Sequence, residues 1–438
     1  MPRVALRLFL AALMATAMWL YVQRVLIPYQ KTQGPMRQSP RGNLSDLYPR
    51  WLGARELLLR GRDPYAADIT RESQIGYYGR LLDPARPGDP KDLQGFAYPV
   101  YVVLLLAPTV ALPFAIVHEM FFWFLGILIA AAVLLWLNAL AWQPSKTAVG
   151  VWVLLTLSCF PAIQGLKLQQ LTLLVAALIA ASVWALSRER FVLAGILLAL
   201  ATIKPQLVFL LVLWLFLWIL GDWGRRQRAM WGFGATLAAL VAAGEWLLPG
   251  WIGEFRGAMS DYYRYTGGGK SVLDVVLSPM GGRITAAGLV VLLAIFAWRN
   301  RGGDEKSKAF QWSICFTLAT TLLVIPMFAP YNQLLLVPGL MMTVRARERL
   351  WEKNGVSRFF LGLTAISVVW PFLAAACLVG SLAFLPGPTV WKGWGLPFYP
   401  TFAVPIAIYA TLLVSRKILE AENDPKQAMA RDAARLAT

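Results

Sequence analysis

Asp46 is the residue of this sequence best suited to acid–base chemistry. It lies in a polar segment, Pro28 to Gly95, which separates the first apolar run from the next one. Apolar residues at helical spacing predict an amphipathic interfacial helix over 44–60, with Asp46 in its first turn, where the helix dipole favours an ionised carboxylate. Such a carboxylate at a membrane surface is a candidate general base. The alternative is that Asp46 only starts or caps the helix, because aspartate is common at that position.

Lys204 is the second candidate, since it stands between two long apolar runs. A cation at the centre of a membrane costs on the order of 2.5–3.5 kcal/mol. Pro205 follows and breaks helical hydrogen bonding, and Gln206 can donate hydrogen bonds. We expect Lys204 to bind a donor phosphate at the outer mouth of a helix bundle. The alternative is a lysine whose ammonium group extends to the interface without a ligand.

Other polar and aromatic side chains at predicted outer positions suit a phosphate or a sugar. Arginines there would add to the charge offered to a phosphate, and amides and tyrosines would bind sugar hydroxyls and stack on sugar rings. One cluster of such side chains, at the outer end of a predicted span, suits an interfacial turn equally well. It consists of Gln164, Lys167, Gln169 and Gln170. The full set of candidates beside Asp46 and Lys204 is Arg62 and Arg264 for the donor phosphate, and Gln169, Gln206, Tyr263, Tyr331 and Asn332 for the sugar or the acceptor.

Several kinds of chemistry are excluded by what the chain lacks. Its single histidine, His118, rules out a multi-histidine metal site, and its three cysteines lie inside apolar runs without metal-ligand spacing. The glycine run Gly267 to Gly269 follows no strand, so it predicts no nucleotide-binding loop. We therefore expect neither a metal nor a cofactor.

Composition places the chain in a membrane. Of its 438 residues 58% are hydrophobic and 15% are charged, and the formal net charge is +18. A soluble domain could not bury so much apolar surface, so we predict an all-α polytopic membrane protein. The positive charge mainly indicates cytoplasmic Lys and Arg that set the topology, and the alternative is attraction to anionic lipid headgroups or phosphates. Nothing indicates a nucleic-acid partner.

The charge pattern also predicts a topology for a single membrane domain, 1–438. Thirteen apolar runs are present, but Lys- and Arg-rich connectors fall on one side only if the proline-interrupted run 97–113 does not cross. We therefore expect twelve spans with both termini inside, and a first span that is not cleaved as a signal peptide. The predicted non-spanning parts are a first outer loop with interfacial helices (28–114), a second outer loop (249–283) and a cytoplasmic tail (417–438).

Three segments resemble known features of glycosyltransferase family 87. The stretch from Asp46 through Asp63-Pro64-Tyr65 looks like the first outer loop of that family. Phe96-Ala-Tyr-Pro99, with Ala107-Pro108 downstream, and Ile203-Lys-Pro-Gln206 look like its other hallmarks, and the last is the most specific. The order of these segments matches over most of the chain. Two departures are that Val100 follows Pro99, and that the late turn 329–332 contains no histidine.

The resemblance implies a GT-C fold and an enzyme that transfers a sugar, often mannose, from a polyprenyl-phosphate donor on the outer side of the membrane. It also implies that the loop aspartate, here Asp46, is the base. We therefore expect an inverting transfer to a lipid or glycan acceptor, with the active site facing the periplasm or exterior of a bacterial-type plasma membrane. The rival hypotheses are a flippase or transporter for lipid-linked sugars, which would be expected to show internal repeats, and a non-catalytic membrane scaffold.

Overall fold

A computed structural model describes residues 2–36, 45–83, 85–86, 89–90, 92–326 and 328–420. The protein is 79% helical, and the described residues form no strand. This confirms the all-α prediction. Two predicted features lie partly or wholly outside the described residues, namely the start of the interfacial helix at Leu44 and the tail beyond 420.

Most of the helices follow one another with short connectors, but a long irregular segment separates α4 from α5. The first third forms α1 (Pro2–Tyr21), a π-helix (Val22–Leu26), α2 (Ile27–Met36), α3 (Tyr48–Arg60), α4 (Ala67–Tyr78), α5 (Val102–Leu106), a 3₁₀ turn (Ala107–Thr109) and α6 (Phe114–Ala139). The middle forms α7 (Lys146–Ser158), α8 (Phe160–Lys167), α9 (Thr172–Ser187), α10 (Phe191–Leu200), a 3₁₀ turn (Ala201–Ile203), α11 (Pro205–Leu220), α12 (Trp223–Leu247), α13 (Trp251–Thr266), α14 (Val272–Leu277) and α15 (Pro279–Asn300). The last part forms α16 (Lys308–Val324), a 3₁₀ segment (Pro330–Leu336), α17 (Val337–Arg345), α18 (Arg347–Lys353), α19 (Gly355–Ser381), α20 (Gly387–Trp391), a 3₁₀ turn (Tyr399–Phe402), α21 (Ala403–Val414) and α22 (Arg416–Glu420).

Within the described part of the chain, five helices are long and apolar enough to cross a membrane, and the number rises to six if α7 and α8, bent by 54° at Cys159, form one span. The same part of the chain contains five further apolar helices of 10–17 residues. The twelve-span topology, the three predicted non-spanning parts and the sidedness therefore stay predictions. The run 97–113 contains only α5 and a 3₁₀ turn, which rise too little to cross a bilayer.

Helix α3 carries the apolar stripe predicted for it, because Leu47, Trp51 and Ala54 are buried. It begins at Tyr48, four residues after the predicted start, with Pro49 in the first turn, where a missing N–H costs little. It ends at Gly61, whose φ of 65° is the left-handed conformation that glycine adopts without strain. Asp46 therefore lies just before the helix and not in its first turn.

Glycines bring α10 and α12 into close contact. A Cβ atom on Gly195 would lie 2.1 Å from the Ala229 carbonyl oxygen, and one on Gly232 would lie 2.4 Å from the Val192 carbonyl oxygen. Small residues allow such close helix crossings in membrane proteins. The crossing fixes α10, and the chain continues from its C-terminal end through a 3₁₀ turn to Lys204.

Candidate active site

The backbone of Asp46 is attached to the turn between α8 and α9. The Asp46 N–H donates to the Leu168 carbonyl oxygen (3.0 Å), and the Ser45 hydroxyl donates to the same oxygen (3.1 Å). Ser45 in turn accepts from the Leu47 N–H (3.1 Å). No side chain caps α3, so the capping alternative for Asp46 is not realised and its carboxylate is used elsewhere.

Both carboxylate oxygens of Asp46 accept hydrogen bonds from residues outside α3. The Tyr77 hydroxyl donates to Oδ1 (3.3 Å), and Nε2 of Gln170 donates to Oδ2. Burial, together with the charges of Asp46 and Asp92, raises the pKa of Tyr77 well above its ordinary value, so its phenol stays protonated and donates. Asp46 is partly exposed, so the carboxylate is accessible to a ligand.

Gln170 joins Asp46 to Lys204. While its Nε2 contacts Asp46, its Oε1 accepts a hydrogen bond from the Lys204 ammonium group (2.6 Å). The ammonium also donates to the Thr172 hydroxyl (2.7 Å), and that hydroxyl donates to Oδ1 of Asn332 (3.1 Å). The carboxylate and the cation that sequence analysis singled out thus lie on opposite ends of one neutral amide.

Lys204 is held at a break between two apolar helices. Its backbone precedes α11, whose first residue is Pro205, which has no N–H to leave unpaired. The Tyr101 hydroxyl donates to the carbonyl oxygen of Thr202 (3.0 Å) and stabilises the 3₁₀ turn just before the lysine. Lys204 is only 7% exposed, and its charge is therefore directed into the protein and not to an interface. This is not the geometry of a lysine extending to solvent.

Aromatic rings and a second cation complete the surroundings of the pair. The Tyr98 ring faces two cations, the Arg50 guanidinium at 4.9 Å and the Lys204 ammonium at 5.5 Å from its centroid. Tyr331 lies on another side of Lys204 at 5.4 Å. All three distances are in the range of cation–π attraction. Arg50 also donates to the backbone oxygen of Asp46 (2.8 Å), so its charge lies beside the carboxylate without pairing with it.

A second carboxylate, Asp92, lies close to the first. Its Oδ2 accepts from Nε2 of Gln94 (2.7 Å), and its Oδ1 accepts from the Tyr262 hydroxyl of α13 (3.5 Å). Burial and, to a smaller extent, the nearby charge of Asp46 raise the pKa of Asp92 to about 6, although the charge of Arg50 opposes the increase. A raised pKa beside a specific charge partner is typical of functional sites.

Two of the five residues predicted to bind the sugar or the acceptor join this cluster, and Gln169 and Gln206 are among the three that do not. Tyr331 and Asn332 contact Lys204 and Thr172 as described above. Gln169 is buried, its backbone has φ of 45°, and its side-chain amide donates to the Leu166 carbonyl oxygen (2.6 Å). The position beside Asp46 and Lys204 that was expected for Gln169 is therefore occupied by its neighbour Gln170. Gln206 is exposed, and no hydrogen bond of its side chain is found among the described residues.

The two predicted phosphate-binding arginines of the outer loops are already engaged by carboxylates. Arg62 contacts Glu56 (2.7 Å), Asp68 (2.8 Å) and Glu72 (2.6 Å). Arg264, 75% exposed, pairs with Asp261 (2.6 Å). The described residues give neither arginine a contact with the Asp46 cluster. Three carboxylates compensate the charge of Arg62. We therefore retain neither of these arginines as a phosphate ligand.

Tyr263 also lies outside the cluster. It is 54% exposed, and its ring packs over the Gly268 backbone in the second predicted outer loop. Its neighbour Tyr262 is the residue of this helix that reaches the cluster, because the two side chains point to different sides of α13. The prediction of a tyrosine from α13 near the site was thus one residue off.

The residues that sequence analysis missed carry weak local signals. Gln170 and Tyr262 stood next to predicted positions, and Tyr98 is part of the Phe96-Ala-Tyr-Pro99 segment. Arg50 follows Asp46 by four residues, a spacing that brings side chains together on a helix. Asp92 had no such signal, because it lies in an irregular segment and reaches the site only through the fold. Among the described residues no group of three or more His, Cys, Asp or Glu side chains could hold a metal ion.

Comparison with known proteins identifies the class of protein. Residues 96–326, more than half of the chain, match the model of glycosyltransferase family 87. The chain therefore belongs to this family, and with its long apolar helices it is an integral membrane glycosyltransferase. Lys204 lies within the matched segment and Asp46 before it. Comparisons with curated proteins and with solved structures find no match.

Proposed function

We propose that this protein is a GT-C type glycosyltransferase that moves a sugar, most simply mannose, from a polyprenyl-phosphate donor to a lipid or glycan acceptor. The reaction takes place on the outer side of a bacterial-type plasma membrane, and Asp46 is the general base. The observation that carries the proposal is the bridge from Asp46 through Gln170 to Lys204. It supports a base and a phosphate-binding cation working on one substrate pair.

The proposed step is an inverting displacement. Asp46 takes the proton of an acceptor hydroxyl, whose oxygen forms a bond to the anomeric carbon of the donor sugar. The bond from that carbon to the phosphate oxygen breaks, and the phosphate leaves with the electron pair. Lys204 stabilises the charge that develops on the phosphate, as preorganised cations do in other transfers. The phosphate is already a leaving group, so this step uses no metal.

Gln170 has a specific part in this proposal. An ammonium in direct contact with a carboxylate would neutralise it and lower its basicity. Because the amide of Gln170 lies between them, Asp46 and Lys204 are held near each other with each charge free to act on a substrate. Gln170 is therefore a positioning residue and not itself an acid or a base.

A place for the lipid part of a substrate lies on the other side of the same turn. A cavity of about 190 Å³ is lined mainly by apolar side chains of the π-helix, α8 and the segment before α21, together with the polar Gln30, Gln164 and Lys167. Leu168 is part of its wall, and the carbonyl of Leu168 is the oxygen that anchors Asp46. A mainly apolar cavity at this position supports entry of a prenyl chain from the membrane. No observation favours the flippase alternative.

The decisive test is transfer by the purified enzyme in lipid nanodiscs with radiolabelled polyprenyl-phosphate mannose and a membrane lipid extract as acceptor. We expect Asp46→Asn to lower kcat by about 10²–10⁴-fold, the range in which general bases act, with donor binding preserved. The matched control is Asp68→Asn, which makes the same change in the same loop on a carboxylate paired with Arg62. Near-normal turnover of Asp46→Asn would remove this residue from the mechanism, and no transfer by the wild type from any sugar donor would reject the function.

A further inference from the structure

Next to the Asp46–Lys204 pair lies a group of polar atoms that the proposed mechanism does not use. Asp92 Oδ1 accepts two hydrogen bonds, from the Gln94 N–H (3.4 Å) and from the Tyr262 hydroxyl (3.5 Å). Both are longer than ordinary N–H···O and O–H···O bonds, and both are therefore weak. Oδ1 is an acceptor whose demand for hydrogen bonds is largely unmet.

Two buried atoms close to this carboxylate have no partner among the described residues. They are Oε1 of Gln94, an acceptor, and Nε of Arg50, a donor. Gln94 is 2% exposed, and its other amide atom donates to Asp92, which fixes the amide against the carboxylate. The charge of Arg50 acts on Asp92, yet the two form no ion pair. Buried polar atoms without partners are rare in proteins and call for a ligand or a functional reason.

The backbone at this place is also strained. Gln94 has φ of 53°, a conformation that residues other than glycine rarely adopt. Such strain persists where surrounding structure enforces it, and it is often found at binding and catalytic sites. Here it turns the Gln94 side chain back onto Asp92.

Asp89, three residues earlier, shows what a structural carboxylate in the same loop looks like. It forms a salt bridge with Arg80 (2.5 Å) and also accepts from the Asp83 N–H (2.9 Å). Its pKa is lowered to about 2, mainly by the hydrogen bond from Arg80. Among the residues that the structure describes, Asp92 has no such partner, although Arg50 is near, so stabilisation of the loop does not explain its position.

We propose that Asp92, Gln94 and Arg50 form a hydroxyl-binding subsite for a sugar ring, with Tyr262 of α13 closing it from the side. A hydroxyl group both donates and accepts, so it can donate to Asp92 Oδ1 or Gln94 Oε1 while it accepts from Arg50 Nε. A phosphate could not do this, because it would face the Asp92 carboxylate. The inference rests on the proposed function and adds to it a recognition site separate from the base and from the phosphate-binding lysine.

The test uses the enzyme in nanodiscs with octyl α-mannoside as acceptor probe, polyprenyl-phosphate mannose as donor, and singly deoxygenated forms of each sugar. We expect Asp92→Asn to raise KM for one of these two substrates by about tenfold or more, with kcat changed by no more than about threefold, because a hydrogen bond to a charged acceptor is lost. For that same substrate, one deoxygenated form should bind the wild type more weakly than the parent sugar does. Asp92→Asn should bind this deoxygenated form and the parent sugar equally well. Which substrate responds tells whether the bound sugar is that of the donor or of the acceptor.

Controls separate recognition from folding. Asp89→Asn should lower the unfolding temperature and leave both KM values within about twofold, because its partner is Arg80. If Asp92→Asn does not fold, Tyr262→Phe, which removes one hydroxyl, should still raise KM of the same substrate by about threefold. The subsite is rejected if these variants leave both KM values unchanged, if they lower only kcat, or if every deoxygenated form loses the same affinity in wild type and variant.

The outcome is distinguishable from failure of the proposed function. If the wild type transfers no sugar, equilibrium dialysis with radiolabelled octyl α-mannoside still measures binding. Weaker binding to Asp92→Asn than to Asp89→Asn would then support a sugar site in a protein that is not a transferase. Equal binding to both, or none to the wild type, would overturn the subsite.

Discussion

The two ends of helix α9 differ in how their charged side chains are paired. Beyond its C-terminal end, charged side chains pair directly, as in Lys306 with Glu189 (2.5 Å) and Arg225 with Glu305 (2.7 Å). Before its N-terminal end, Asp46 and Lys204 are separated by the amide of Gln170. Among the described residues neither of these two ions forms a salt bridge.

The difference separates stabilising charges from reactive ones. The protein compensates the charge of a buried cation when that cation contacts a carboxylate or several backbone carbonyls. Arg226 is an example, because it donates hydrogen bonds to the backbone carbonyls of Trp218, Arg301 and Gly303. A cation whose contacts with the described residues are all to neutral groups, as those of Lys204 are, retains a net attraction for an anionic ligand. The arrangement at the N-terminal end of α9 is therefore suited to bind and transform a charged substrate, and the one at the other end to hold connectors together.

Apart from the loss of the base in Asp46→Asn, the largest effect is expected from removing the charge of Lys204. Lys204→Met keeps the length of the side chain and should lower kcat/KM by about 10²–10³-fold, because the leaving phosphate loses its stabilising cation. Steady-state transfer with polyprenyl-phosphate mannose measures this. The control Lys392→Met removes an exposed ammonium and should leave kcat/KM unchanged. Equal activity of the two variants would contradict the role of Lys204.

A smaller effect is expected when the amide between the charges is converted into a carboxylate. Gln170→Glu would let Lys204 form a direct ion pair and would place a like charge beside Asp46, so the N-terminal end of α9 would resemble the other end. We expect kcat to fall by about 10–100-fold and the pH optimum to rise, since like charges raise a carboxyl pKa. Gln143→Glu, an exposed glutamine near the Arg188 end of α9, is the control. An unchanged pH profile in Gln170→Glu would argue against the spacer role.

The pH dependence of stability and of KM should report the titration of Asp92. The groups that face Asp92 are Asp46 just before α3, Arg50 in α3, Tyr78 in α4 and Tyr262 in α13. Its pKa is raised to about 6 from 3.8, so its contribution to stability is fully present below pH 3.8 and is lost as pH rises through about 6. The unfolding temperature of Asp92→Asn minus that of the wild type should therefore grow as pH rises from about 3.8 to about 6, and stay constant above that range. In the wild type alone, KM of the affected sugar substrate should increase about three- to tenfold as pH falls below 6, because the Asp92 carboxylate becomes protonated. If unfolding temperature and KM depend on pH in the same way in the wild type and in Asp92→Asn, the assignment of this titration to Asp92 is refuted.

The smallest effect on activity is expected at the far end of α9. Glu305 is buried, with Arg225 as its partner. Glu305→Gln should lower the free energy of unfolding by about 1–2 kcal/mol, a value reduced from that of a fully buried pair because Arg225 is partly exposed. Thermal unfolding measures the loss, and kcat/KM should stay within about twofold. A large loss of activity in a folded variant would show that the two ends are not functionally distinct.

Sequence by itself determined the class of this protein and its two principal candidates. Apolar composition fixes an all-α membrane protein because so much apolar surface can be buried only in lipid. Asp46 and Lys204 stood out for the same reason, since a charge beside apolar helices needs a partner or a function. The spacing of Leu47, Trp51 and Ala54 likewise determined the buried face of α3, because that face depends on local periodicity alone.

Only the tertiary structure decided which other residues accompany them. It put Gln170 and not Gln169 between the charges, because the positive φ at Gln169 turns successive side chains to different sides. It brought Asp92 and Tyr262 together from segments far apart in the chain, and it compensated Arg62 with three carboxylates. Local patterns carry no information on such contacts, since they depend on how distant segments pack against each other. Asp92 in particular acquires its raised pKa only from neighbours that folding supplies.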